Sequence, residues 1–220
     1  MSESIWLCTI VHMKDYFAGD PRTNKQRMED GDFYIADDPD LESASQRAYA
    51  LQTQYAELHR TDPDAAYSVL QELLGELGER SYIKPPLFVD YGSYIKVGKR
   101  TFANYNLTAL DVAPITIGDD CQIGPNVQLL TPIHPLEPTP RRDKLEGALP
   151  ITIGNNVWLG GGVIVCPGVT IGDNTVVGAG SVVTKDLPAN VLALGSPARV
   201  VRELEEKDFN VRPATGGSGA

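Results

Sequence analysis

ITIGNNVWLGGGVIVCPGVTIGDNTVVGAGSVVTKDLPANVLALGS, residues 151–196, is the stretch that decides the fold. Ile153, Leu159, Val165, Ile171, Val177 and Val183 recur every six residues, and all are aliphatic. Gly154, Gly160, Gly172 and Gly178 follow four of them, with Cys166 and Thr184 in the other two places. Two positions before each aliphatic stands Ile151, Val157, Val163, Val169, Thr175 or Ser181, all small to medium in size. An earlier block, Ile117-Gly118, Ile123-Gly124 and Leu129, has the same period.

A period of six fits neither an amphipathic helix nor a long alternating strand. It fits a solenoid of short parallel strands, in which each six-residue unit makes one flat side and turns its aliphatic inward. Three sides close a coil of 18 residues. Corners such as Gly154-Asn155-Asn156 and Gly172-Asp173-Asn174 carry residues that tolerate positive φ. A coil buries its aliphatics only by stacking on its neighbours. The expected fold is therefore mainly β, a parallel β-helix of hexapeptide repeats.

The 220 residues are 42% hydrophobic, enough for a substantial core, and rich in Gly (21) and Pro (16), as a turn-dense solenoid requires. The net charge of -10 argues against a general nucleic-acid partner and is read as solubility. No apolar run approaches the roughly 18–20 residues of a membrane span, and the start shows no basic-then-apolar leader. Cys8, Cys121 and Cys166 cannot all pair, and the last two occupy repeat positions that want a small apolar side chain. Buried thiols in a reducing compartment follow, hence an expected cytoplasmic location.

Residues 1–28 form an N-terminal extension with no sustained period. Residues 29–84 read as a helical cap. Asp38-Pro39 and Asp62-Pro63 are helix starts, a capping carboxylate followed by proline in the first turn. Ala44, Ala48, Leu51, Tyr55 and Leu58 make one apolar stripe, over about 39–59. Tyr67, Leu70, Leu74 and Leu77 make the second, with Gly78 as a stop. The helices cover the open end of a solenoid at 85–204, whose first runs, from Leu87, are the least regular. The period vanishes over 131–150, where prolines 132, 135, 138, 140 and 150 dominate, yet Leu129 and Ile153 remain a multiple of six apart. The chain leaves the helix there and returns, and such a long loop is usually functional. It carries His134. After Leu194 a short strand or helix precedes a tail at 205–220.

The non-repeat motifs occur in a fixed order. They are Asp90-Tyr91-Gly92, Phe102-Ala103-Asn104-Tyr105-Asn106, Leu110-Asp111, His134-Pro135, Asn155-Asn156-Val157-Trp158-Leu159-Gly160-Gly161, Gly178-Ala179-Gly180-Ser181-Val182-Val183-Thr184-Lys185-Asp186 and Gly195-Ser196-Pro197-Ala198-Arg199-Val200-Val201-Arg202. Together with the helical cap, over roughly 29–204, this set resembles the maltose/galactoside O-acetyltransferase family of left-handed β-helix acyltransferases. The resemblance implies a homotrimer with acetyl-CoA bound between subunits, and transfer of acetyl to a sugar hydroxyl of the maltose, glucose or galactoside type. It implies His134 as general base, a role suited to imidazole near neutral pH. It implies Asn104 near the thioester, and Asp90, Asp111 and Glu146 near the acceptor. The Gly161 amide would face the oxyanion, with Trp158 beside the acetyl-CoA. Ala179, Thr184, Lys185, Arg199 and Arg202 would hold the pantetheine arm and the phosphates. The family's acceptor-binding aspartate in the cap has no clear register in Tyr34-Ile35-Ala36-Asp37-Asp38, and none is assigned.

Two other classes compete. One is the same scaffold acting on a different hydroxyl acceptor; the other is a noncatalytic scaffold subunit, which should have lost these residues. A zinc site of three converging histidines is not expected, since of His12, His59 and His134 only the last lies among the repeats.

Overall fold

The computed structural model describes residues 15–205. Helix α1 (Asn24–Glu29), strand β1 (Tyr34–Ile35), and helices α2 (Pro39–Leu58) and α3 (Pro63–Leu73) come first. A first coil follows, of β2 (Glu76–Leu77), β3 (Tyr82–Ile83) and β4 (Leu87–Val89). The second coil is β5 (Ile95–Val97), β6 (Phe102–Ala103) and β7 (Leu107–Leu110), and the third β8 (Ile115–Ile117), β9 (Gln122–Ile123) and β10 (Gln128–Leu130). The excursion holds β11 (Pro132–Ile133), α4 (Pro138–Arg142) and β12 (Leu145–Ala148). Coils then resume with β13 (Ile151–Ile153), β14 (Trp158–Leu159), β15 (Ile164–Val165), β16 (Thr170–Ile171), β17 (Val176–Val177) and β18 (Val182–Val183). The hairpin of β19 (Val191–Gly195) and β20 (Ala198–Glu203) ends the helix.

The strands stack into three parallel faces. The first is β2-β5-β8-β13-β16, the second β3-β6-β9-β14-β17-β19 with β20 antiparallel at its edge, and the third β4-β7-β10-β15-β18. All six repeat aliphatics from Ile153 to Val183 are at most 1% exposed, and the residues two places earlier are buried as well. The excursion departs and returns without disturbing the register: Ile153 lies opposite Ile117, and Val165 opposite Leu129.

The early coils look irregular for a specific reason. Leu77, Val97 and Ile117 lie opposite one another at 20-residue spacing, against 18 for Ile153 and Ile171. The two added residues fall at the corner between the third face and the next coil's first face, at Asp90–Tyr94 and again at 111–114. The 131–150 excursion leaves from that same corner.

Gly154 and Gly172 act otherwise than by positive φ. Asn156 (φ 53) and Asn174 (φ 59) carry the left-handed conformation. Their side chains bond in a ladder, Asn156 Nδ2 donating to Asn174 at 2.9 Å and Asn174 Nδ2 to Asn190 at 2.8 Å. Gly154 is needed for close approach, because a Cβ there would lie 2.8 Å from the Asp173 amide nitrogen of the next coil.

Asp38 and Asp62 cap α2 and α3 as expected, accepting from the Asp40 and Ala65 amides at 2.9 and 3.0 Å. The second helix is shorter than its spacing suggested. It ends at Leu73 and buries Ala66, Val69, Leu70 and Leu73. Leu74 is already extended, and Leu77 belongs to β2, so the solenoid begins before Pro85. The cap is fastened to the first coil through Gln52, which exchanges hydrogen bonds with the Val89 backbone, and through the Tyr55 hydroxyl, which donates to the Ile83 carbonyl. The apolar segment after Leu194 is strand β20. Cys121 is buried and Cys166 partly so, both as free thiols; Cys8, His12 and the tail from 206 lie outside the described residues. Among the described residues no helix is long and apolar enough to cross a membrane.

Ile153 and Thr152 are neighbours on opposite sides of one strand, the first buried and the second exposed. Replacing Ile153 by Ala should therefore cost about 2–5 kcal/mol of unfolding free energy. Thr152→Ala should cost less than about 1 kcal/mol. Urea unfolding of both variants checks this, and equal losses would contradict the inward–outward assignment.

Candidate active site

The third-to-first corner, where all the extra residues fall, is acidic and largely buried. Asp111 is 0% exposed. Its Oδ1 accepts from the Asp90 and Tyr91 amides at 3.1 and 2.9 Å, and its Oδ2 from the Tyr94 amide at 3.2 Å. Burial pushes the Asp111 carboxyl above its ordinary value, and hydrogen bonds from the Tyr91, Gly92 and Tyr94 amides pull it back. These bonds engage both oxygens of the fully buried carboxylate in shaping the corner of the coil before it, next to Asp90. Asp90 is only partly buried. Burial, then the charges of Asp111 and Glu146, push its carboxyl up to about 6.

The excursion folds as an antiparallel pair, with Ile133 opposite Gly147, and this sets His134 beside Leu145 and Glu146. His134 Nδ1 lies 2.8 Å from the Leu145 carbonyl oxygen. A carbonyl only accepts, so Nδ1 carries the proton, which leaves the Nε2 lone pair free on an exposed ring. The middle strand, β12, is also paired on its other edge with β1 of the cap, Tyr34 lying opposite Glu146. The Tyr34 hydroxyl donates to Glu146 Oε1 at 2.7 Å. Met28, Tyr34, Leu41, Tyr91 and Val112 pack into a small apolar cluster beneath this junction. Sequence reasoning missed Tyr34; a two-residue strand pairing with a partner more than a hundred residues away leaves no local signal.

The two aspartates left unassigned in the cap have local partners. Asp38 accepts from the Lys25 and Asp40 amides, and Asp37 from the Asn24 side chain.

The remaining site residues lie elsewhere. Asn104, Gly161 and Ala179 sit at the corner between the second and third faces. They line a groove of about 520 Å³ along the second face, floored by Phe102, Trp158 and Leu192. Trp158 is 55% exposed. Arg199 and Arg202 are on β20, at the edge of that face. Thr184 and Lys185 follow β18 and so lie on the same corner as His134, further along the axis. One chain thus separates the residues into two sets: His134, Glu146 and Asp90 at one corner, and Trp158 on the second face with Asn104, Gly161 and Ala179 at its corner with the third.

Comparisons with known proteins agree with this architecture. The family model for bacterial transferase hexapeptides (six repeats) matches residues 150–185, and that for the maltose acetyltransferase hexapeptide capping motif matches 27–78. Galactoside O-acetyltransferase of Escherichia coli is 40% identical over 162 residues, covering 74% of this chain and 80% of its own. The crystal structure of a maltose O-acetyltransferase from Clostridium difficile is 41% identical with a TM-score of 0.82, covering 84% of this chain and 99% of that one. A galactoside acetyltransferase in complex with coenzyme A is 40% identical, also with a TM-score of 0.82, covering 85% of this chain and 94% of that one. With its capping motif and hexapeptide repeats both matched, and with relatives about 40% identical over most of their length, the chain belongs to the maltose/galactoside O-acetyltransferase family of hexapeptide-repeat acetyltransferases.

Proposed function

We propose that this chain is an O-acetyltransferase that moves the acetyl group of acetyl-CoA directly to a sugar hydroxyl, in a homotrimer whose sites form between subunits. The observation that carries the chemistry is the His134–Leu145 hydrogen bond. It fixes the tautomer in which Nε2 is a base. Nε2 takes the acceptor's hydroxyl proton as that oxygen attacks the thioester carbonyl, forming a C–O bond. The carbonyl oxygen becomes an oxyanion facing the Gly161 amide, a donor that needs no side chain. Collapse of the tetrahedral species breaks the C–S bond, and the imidazolium returns its proton to the departing thiolate. The ester and free CoA leave.

Asn104 would sit at the thioester and Trp158 along the pantetheine, while Ala179, Thr184, Lys185, Arg199 and Arg202 hold the rest of a polyanionic CoA. Asp90 and Glu146 accept from the sugar hydroxyls. The groove and the histidine corner are apart in one chain, which is the reason for placing the site between two copies. The CoA complex of a related galactoside acetyltransferase supports the choice of acyl donor.

His134→Ala should keep its fold and its acetyl-CoA affinity, since the residue lies in the excursion outside the stacked core. Its kcat should fall by roughly 10²–10⁴, followed as thiol release. A variant that keeps most of its kcat, or a trapped acetyl-enzyme, would reject the direct mechanism.

The shared site makes a second expectation. Purified His134→Ala and Asn104→Ala should each be nearly inactive. Unfolded together and refolded as mixed trimers, they should regain a sizeable part of the activity, because some interfaces then carry both native residues. No recovery in trimers shown to be mixed would place the whole site within one chain.

The third concerns Asp90. Its carboxyl is raised from 3.8 to about 6 in the folded chain. The folded state therefore binds the proton more tightly than the unfolded one, and stability falls as pH rises through that window and stays low above it. Asp90→Asn should be more stable than wild type at pH 8 by about 1–3 kcal/mol. The gain should shrink towards zero near pH 4, while the acceptor KM rises at neutral pH. Urea midpoints at the two pH values and at one protein concentration decide it; a gain independent of pH would show that charge burial is not the cause.

A further inference from the structure

We propose that Tyr34, supplied by the cap, is a positioning residue for the acceptor subsite: its hydroxyl ties down one oxygen of Glu146 and so aims the other at the sugar. Tyr34 is 1% exposed, and its hydroxyl lies 2.7 Å from Glu146 Oε1. The two residues are cross-strand partners, so the contact is built into the β1–β12 pairing. Glu146 itself is only partly buried, and its charge reaches Asp90. A carboxylate has two oxygens and about four lone-pair positions. One phenolic donor fixes its rotamer and leaves Oε2 available to accept from a ligand hydroxyl. Burial, and then the Glu146 charge, push the Tyr34 hydroxyl far above its ordinary value. It stays a donor throughout the working range.

The position of β12 gives the contact its reach. The strand is held by β1 on one edge and by β11 on the other. The carbonyl of Leu145, next to Glu146, accepts the hydrogen bond from His134 Nδ1–H. The side chain that selects the acceptor and the backbone that orients the base are thus consecutive residues, registered by a strand of the cap. The cap–excursion junction thus shares acceptor choice with Asp90 of the adjoining solenoid corner, while the second face serves the acyl donor.

The inference rests on the proposed acetyl transfer, and the test separates the two. Tyr34→Phe keeps the ring in its pocket and removes only the donor. Acceptor KM should rise about five- to tenfold, with acetyl-CoA KM unchanged and kcat within about twofold. In a Glu146→Gln background the same substitution should add less than about twofold, because the two residues act as one unit. Wild-type protein that acetylates no sugar would defeat the proposed function and this inference with it. Wild-type protein that transfers normally, paired with a Tyr34→Phe variant of unchanged acceptor KM, would defeat the inference alone. So would a full loss that persists beside Glu146→Gln. A Tyr34→Phe chain that unfolds, or that loses kcat and both KM values together, would assign Tyr34 a structural role and overturn the proposal.

Discussion

Everything in this structure depends on the vertical stacking of inward aliphatics. A column such as Ile117, Ile153 and Ile171 is buried by its own neighbours above and below, and the backbone ladder holds the columns at strand spacing. Side chains inside such a prism have no room for insertion. Extra residues must leave at a corner, and two of the three corners are closely packed: a Cβ at Gly154 or Gly160 would lie against the next coil's backbone. The third corner takes the surplus. It holds two added residues in each of the first coils and the whole 131–150 excursion. The candidate base, His134, and the carboxylates of Asp90 and Glu146 all fall at this corner, where the surplus backbone is accommodated.

Irregular backbone brings polar groups that must be satisfied. Asp111 meets that demand, its two oxygens taking three amides of the coil below. The consequence is electrostatic. A buried carboxylate, Asp111, and the Glu146 carboxylate both lie near enough to Asp90 to raise its cost of ionisation, on top of its own burial. A corner designed only for stability would use neutral acceptors. Carboxylates held above their usual pKa in a cleft are a common mark of binding sites, where strain against the fold is balanced by ligand.

How far the sequence revealed this varies with the range of the interaction concerned. The repeats were legible because each aliphatic reports its own burial, residue by residue. The cap helices were legible through Asp38-Pro39 and Asp62-Pro63, local signals that the structure places as caps. Helix α1 was equally legible and was overlooked: Thr23 and Gln26 form a capping box over its first turn. The first coil was blurred by the 20-residue spacing, which keeps two steps of six and then makes one of eight; that break let α3 extend on paper through Leu74 and Leu77. His134 was found by its type and its loop. Its tautomer was not, since the carbonyl that fixes it is 11 residues on. The β1–β12 pairing and Tyr34 were out of reach, being set by two-residue strands brought together only when cap, corner and excursion meet.

The division of the site between two corners follows from the same geometry. The acyl-donor groove needs a long flat wall, which the second face provides from Phe102 to Leu192. The base needs a projecting backbone, which only the surplus corner allows. In one chain the wall and the histidine corner lie on different sides of the prism, and under the proposed function a neighbouring copy closes the site by setting its corner against this wall. The cap then serves twice, by sealing the first coil through Gln52 and Tyr55 and by registering the excursion through Tyr34.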